Sequence, residues 1–276
     1  MERLGASLKT CPALRAISFS KNNLGIDDFE ETDSEFEDDH FQEEEKGTQK
    51  KSMCPMDQKC MTDAIVDICK HHDFMERLCL AHCYFHDRGM KIIAESLPNA
   101  RIRYLNFSWC RLTSGAVPDL CRFIKYNRVL EKVLIQHNEL GDSKSMKQIS
   151  IAISDHPAIK YLDISANNIG SENFKLLLKL QELNKIKLEN LQVRKNYIKG
   201  EQILGVFKSE KLILNSNLRV LNLQDNRLNT ENATEICEHY LKRNIYIEQI
   251  VLKGNKALHP STQESIDHEC RKNLLV

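Results

Sequence analysis

The chain has 276 residues, 41% hydrophobic and 28% charged, with 39 Lys or Arg set against 39 Asp or Glu. That is the composition of a folded domain, and no stretch approaches the roughly 18 consecutive apolar residues that a membrane span needs. The zero net charge conceals an asymmetry: Asp27–Glu45 holds twelve carboxylates and no Lys or Arg, so the rest of the chain is about twelve charges positive.

The amino terminus, MERLGASLKT, is charged and has no apolar run of the kind a secretory signal carries. Ten cysteines at irregular spacings are then expected as reduced thiols, and the expected location is the cytoplasm. ERLGASLKTCP has the pattern of a helix with Leu4 and Leu8 inward. Either this short helix suffices as a cap, or the chain is a fragment of a longer array.

From Leu14 the segment LRAISFSKNNL sets a frame with apolar residues at positions 1, 4 and 6, a small polar residue at position 9 and an apolar residue at 11. It recurs as MERLCLAHCYF from Met75, IRYLNFSWCRL from Ile102, LEKVLIQHNEL from Leu130 and IKYLDISANNI from Ile159. LENLQVRKNYI from Leu188, LRVLNLQDNRL from Leu218 and IEQIVLKGN from Ile247 complete the series. The steps between copies are 61, 27, 28, 29, 29, 30 and 29 residues, so only the first is anomalous, and it contains the acidic run. Position 9 is Asn in most copies but Cys83 and Cys110 in two.

This spacing predicts one strand per copy, whose alternate side chains at positions 4 and 6 enter a core. The Asn turns the chain inward, and its amide serves backbone groups that a buried bend leaves without partners. A stretch of helical period follows each strand. TSGAVPDLCRFIKYN puts Val117, Leu120, Cys121 and Ile124 on one face, and TENATEICEHYLKRN does the same with Ala233, Ile236, Cys237 and Tyr240, its helix starting at Thr230. HPSTQESIDHECRKN, with Ile266 and Cys270 inward, reads as a closing helix begun by its proline.

With NELG at 138–141 and NNIG at 167–170, the pattern resembles the ribonuclease-inhibitor-type leucine-rich repeats over residues 1–25 and 58–273. The resemblance implies an α/β solenoid, a horseshoe with a parallel sheet on the concave face and helices on the convex face. Three regions follow: residues 1–25 as a partial first repeat, 26–57 as an acidic insertion expected to be disordered, and 58–276 as the solenoid with its carboxyl-terminal cap. The insertion carries Phe29, Phe36 and Phe41 among its acids, and is either a solvated loop or a segment that covers a basic surface or contacts a partner.

Positions 3, 5, 7 and 8 of the frame project onto the concave face. The conspicuous residues there are Arg77, His82, Tyr104, Trp109, His137, Tyr161, Asp163, Arg194, Lys195, Gln224 and Asp225. Tyr104, Trp109 and Tyr161 with Arg194 have the composition of a binding hot spot, so Tyr104, Trp109, His137, Tyr161, Asp163, Arg194, Lys195 and Asp225 are the expected partner-binding residues. Against this stand two structural readings: Trp109 leans over a neighbouring side chain and holds the turn, and Tyr104 and Tyr161, at equivalent frame positions two repeats apart, form a structural aromatic row.

Cys79, His82, Cys83 and His86, with Cys69, His71 and His72 nearby, have the spacing of a zinc site. Against it, Cys83 takes the inward position 9 and Cys79 alternates to the other face, so no metal or other cofactor is expected. No phosphate loop, nucleophile elbow or H-E-x-x-H motif occurs, and no compact basic run suits nucleic acid. The expectation is a non-enzymatic scaffold for another protein, with no small-molecule substrate. Relatives of this repeat type include cytoskeletal and ciliary components and immune sensors. The chain is also similar to the GTPase-activating protein for Ran in joining such repeats to a very acidic segment. There, however, that segment follows the repeats, and no catalytic-arginine loop matches here.

Overall fold

The computed structural model describes residues 14–21, 55–72, 75–97 and 101–273. Leu4 and Leu8, expected to face inward, and the acidic run with its phenylalanines lie outside these residues. Eight three-residue strands form one sheet: β1 Ala16–Ser18, β2 Arg77–Cys79, β3 Tyr104–Asn106, β4 Lys132–Leu134, β5 Tyr161–Asp163, β6 Asn190–Gln192, β7 Val220–Asn222 and β8 Gln249–Val251. They lie in chain order and every neighbouring pair is parallel. The register never slips: position 4 of each frame faces position 4 of the next, so Leu78, Leu105, Val133, Leu162, Leu191 and Leu221 form one fully buried row.

Each strand returns through helix: α1 Pro55–Lys70, α2 His86–Ser96, α3 Val117–Tyr126, α4 Ser143–Ile153, α5 Gly170–Glu182, α6 Gly200–Phe207, α7 Glu210–Asn215, α8 Thr230–Ile236 and α9 Pro260–Asn273. Helix α1 starts at Pro55, three residues inside the boundary drawn at residue 57. Val117, Leu120 and Ile124 are buried as their period requires, whereas Cys121 is only half-buried and Phe123 takes the inward place. Helix α8 begins at Thr230 as expected, and its cap is Asn229: the Asn229 side chain accepts from the Asn232 amide while Asn232 reaches back, a reciprocal capping box. A π-turn over Cys237–Leu241 then carries both Tyr240 and Leu241 into the core.

What holds one repeat on the next is the column at position 9. Asn196 Oδ1 accepts from the backbone N–H of Asn167 at 2.9 Å and of Ile169 at 3.3 Å, and its Nδ2 donates to the Ile164 carbonyl, all in the preceding repeat. Asn138, Asn167, Asn226 and Asn255 repeat the scheme. Cys83 and Cys110 reproduce the donor half through sulfur, giving their S–H to the carbonyls of Phe19 and Leu80 at 2.9 and 3.0 Å, and the Cys110 sulfur also accepts from the Cys83 amide.

A second column stands at position 2. Position 2 reads Arg15, Glu76, Arg103, Glu131, Lys160, Glu189, Arg219, Glu248, alternating in sign without exception. Arg15 pairs with Glu76, Arg103 with Glu131, Lys160 with Glu189 and Arg219 with Glu248, all partly exposed.

Candidate partner-binding face

The residue at position 8 has a positive φ in every repeat, from 50° at Lys195 to 78° at Gly254, although seven of the eight are not glycine. L-residues enter this left-handed region only when the surroundings hold them there. The hold is a ladder running across the turns: the N–H of Lys21, His82, Trp109, His137, Ala166, Lys195 and Asp225 each donates to the position-7 carbonyl of the next repeat, at 2.7 to 3.1 Å. The step turns position 9 into the core and leaves the position-8 side chains in a row.

In that row His82, Trp109 and His137 stack. The Trp109 ring lies 3.7 Å from His137, with 11° between planes, and 5.2 Å from His82, with 14°. Burial and nearby Lys21 hold the His82 pKa below its ordinary value, so the stack favours neutral imidazole there. Both faces of the indole are thus covered by the protein itself.

Position 3 carries a second row, five residues earlier in each repeat. The Arg77 guanidinium lies 4.1 Å over the Tyr104 ring, and the Lys132 ammonium sits 5.7 Å from Tyr104 and 3.9 Å from Tyr161. Cation and aromatic ring alternate over four repeats, each fixing the next. Lys132 was missed in the sequence although it stands at the same frame position as both tyrosines.

Between the rows, Asp163 sits at position 5 but is only 7% exposed, its Oδ1 accepting from the Ser165 amide. Burial raises its pKa against the opposing pull of that bond and of Arg194 and Lys132. Asn106 and Asn222 bind the amides of Ser108 and Gln224 in the same way, which makes position 5 a turn-holding column. Further along, Arg194 pairs with Asp225 at 3.7 Å, and Lys195 beside it is exposed. The structure therefore sets Tyr104 and Tyr161 in one row and Trp109 and His137 in another, pairs Arg194 with Asp225 beside the exposed Lys195, and withdraws Asp163.

The zinc spacing disperses in the fold. Cys83 is buried and bonded to Phe19, Cys79 contacts the Ser20 hydroxyl at 3.0 Å, and His82 lies on Trp109. Among the described residues no three His, Cys, Asp or Glu side chains come together in a metal-binding group. Cys69, Cys79, Cys83, Cys110, Cys121, Cys237 and Cys270 are free thiols, those of Cys69 and Cys121 pushed up to about 12 by burial. No described helix is long and apolar enough to cross a membrane.

A single open parallel sheet, a repeating strand–helix unit and an inward Asn or Cys column define a leucine-rich-repeat solenoid. The family model described as "Leucine Rich repeat" matches residues 214–237. The chain is similar to two mouse proteins named as NACHT, LRR and PYD domains-containing: protein 4C, 26% identical over 65% of this chain and 18% of that protein, and protein 14, 22% identical over 72% and 22%. Protein 3 of the same name in the rat is 25% identical over 43% of this chain and 12% of its own length. The chain thus spans about a fifth or less of these relatives. Among solved structures, the yeast Rad7 and Elc1 complex aligns with a TM-score of 0.42 at 15% identity, over 71% of this chain and 55% of that one.

Proposed function

We propose that the protein is a non-enzymatic scaffold that binds another protein on the concave face, through two sets of residues centred on Trp109 and on Arg194. The observation that carries this is the fixing of the surface before any partner arrives. Trp109 is clamped between two imidazoles, and Tyr104 and Tyr161 are clamped by Arg77 and Lys132. Side chains already held in place lose little freedom on association, which leaves more of the contact energy as affinity. The free thiols suit a reducing compartment, and we place the protein in the cytoplasm.

Affinity capture from a lysate tests the reading, with the intact chain as one bait and a Trp109→Ala, Arg194→Glu double variant, checked for folding by circular dichroism, as the other. A partner held by the first and lost by the second supports the concave site. Identical partners on both sink it. A regulator resembling the Ran GTPase-activating protein would in addition accelerate GTP hydrolysis by its partner, which a phosphate-release assay reads directly.

A further inference from the structure

We infer that Gln263 stands in for a ninth strand and so keeps the edge of β8 from taking up the first repeat of a second copy of this chain.

β8 is an edge of the described sheet, and an edge strand offers backbone groups to which another strand can pair. In the other seven repeats the position-6 N–H is used within the sheet. Those of Phe19, Leu80, Phe107, Ile135, Ile164, Val193 and Leu223 donate to the position-5 carbonyl of the next strand at 2.8 to 3.0 Å. Leu252 is the eighth of the series. Its N–H donates at 2.7 Å to Oε1 of Gln263, and Gln263 Nε2 donates back to the Ile250 carbonyl at 3.1 Å. In a parallel ladder one residue of the incoming strand makes both of these bonds, to the carbonyl before and the N–H after the residue it faces. The side-chain amide has the same donor and acceptor as a peptide group, and it fills the place of position 5 in a following repeat.

The amide is held in that orientation. Ile266 and Cys270, both buried, fix α9 against the stack, and Gln263 lies one turn before Ile266. Asp267 Oδ1 accepts from Gln263 Nε2 at 2.7 Å, and a carboxylate, which only accepts, settles which end of the amide faces Leu252. The turn after β8 is likewise suited to standing without a neighbour. Seven position-8 residues are held at positive φ by donation to the following repeat, whereas the eighth is Gly254, at 78°, a residue that enters this region without support.

The occupant kept out is a copy of the repeat itself. Seven parallel junctions in this molecule show what such an edge accepts: the same frame, in the same register. β1 is the opposite edge of the described sheet, and the residue at position 2 of its frame is Arg15. Stacked on β8, it would lie beside Glu248 and continue the alternation of charge that runs through the column. The two ends match in frame and in charge, and the Gln263 amide separates them.

The test is sedimentation velocity of the full chain over a hundredfold range of concentration, with hydrogen exchange of single amides followed beside it. Gln263→Met keeps the length and helix propensity of the side chain and loses both strand-like bonds. In this variant the Leu252 amide is expected to exchange at least tenfold faster at low concentration, while that of Leu223, covered by β8, stays as in the wild type. As concentration rises the variant is expected to associate, with the wild type still a single species. Adding Arg15→Glu, which sets a carboxylate against Glu248, should weaken that association at least tenfold. Glu264→Met, at the exposed neighbouring position of α9, is expected to behave as the wild type. An unchanged Leu252 amide, or a wild type that associates as strongly as Gln263→Met, would overturn the inference. So would a variant whose edge opens but which stays a single species, association by Glu264→Met as well, or association indifferent to Arg15→Glu.

Discussion

Asn196 shows why one residue type recurs where it does. Its side chain is fully buried, and it satisfies two amides and one carbonyl of the preceding repeat that water cannot reach. Each buried group left without a partner costs about 1–3 kcal/mol, so Asn196→Ala is expected to lower stability by about 3 kcal/mol or more in urea titrations. Cys110 gives its S–H to the Leu80 carbonyl, with a longer second contact at Ser108, and its sulfur accepts from the Cys83 amide, both weaker bonds than an amide side chain makes. Cys110→Ala should therefore cost roughly 1 kcal/mol. Equal losses at the two sites would contradict the division of labour drawn for this column.

The element that closes repeat four depends on an imidazole. His156 donates from Nε2 to the Asn127 carbonyl at 3.1 Å, while its Nδ1 accepts from the amides of Ala158 and Ile159 at 3.3 Å, fixing the turn from α4 to β5. A proton on Nδ1 would face two N–H groups, and burial already lowers the pKa below its ordinary 6.5. The unfolded chain then binds more protons than the folded one, so this contribution is complete above about pH 6.5 and declines as pH falls through that value. Asn244 performs the same task three repeats later without titrating, its Oδ1 accepting from Tyr246 and Ile247. His156→Asn is expected to flatten the loss of stability between pH 7 and 5, measured by thermal melts across that range. An unchanged slope would place the acid sensitivity elsewhere.

At this scale one can also see what the sequence disclosed. The strands, their order and the inward columns followed from the frame, because a core position leaves an apolar residue in every copy. The stack of His82, Trp109 and His137 did not, because side chains meet across repeats and no single copy contains the contact. It was available only by reading down the position-8 column, as the cation–aromatic row was by reading down position 3. Asp163 was misplaced as a surface group for a related reason: position 5 points to the concave side, but an Asp there bends back to its own turn. Element ends were the least readable feature, as the start of α1 at Pro55, inside the boundary drawn at residue 57, shows.

Taken as a whole, the molecule is a stack in which each repeat contacts mainly its neighbours, so stability accrues repeat by repeat. The alternation of Arg or Lys with Glu at position 2 adds a rule of parity to that growth. Excising residues 130–158 would set Arg103 beside Lys160, like beside like, whereas excising 130–187 would set Arg103 beside Glu189. Exposed pairs are worth only about 0.2–1 kcal/mol each and are screened by salt, so the signature is differential. Added salt should raise the melting temperature of the shorter excision and leave that of the longer one nearly unchanged, and equal responses would refute the rule. If it holds, the unit in which such a chain can be lengthened, shortened or recombined is not one repeat but two.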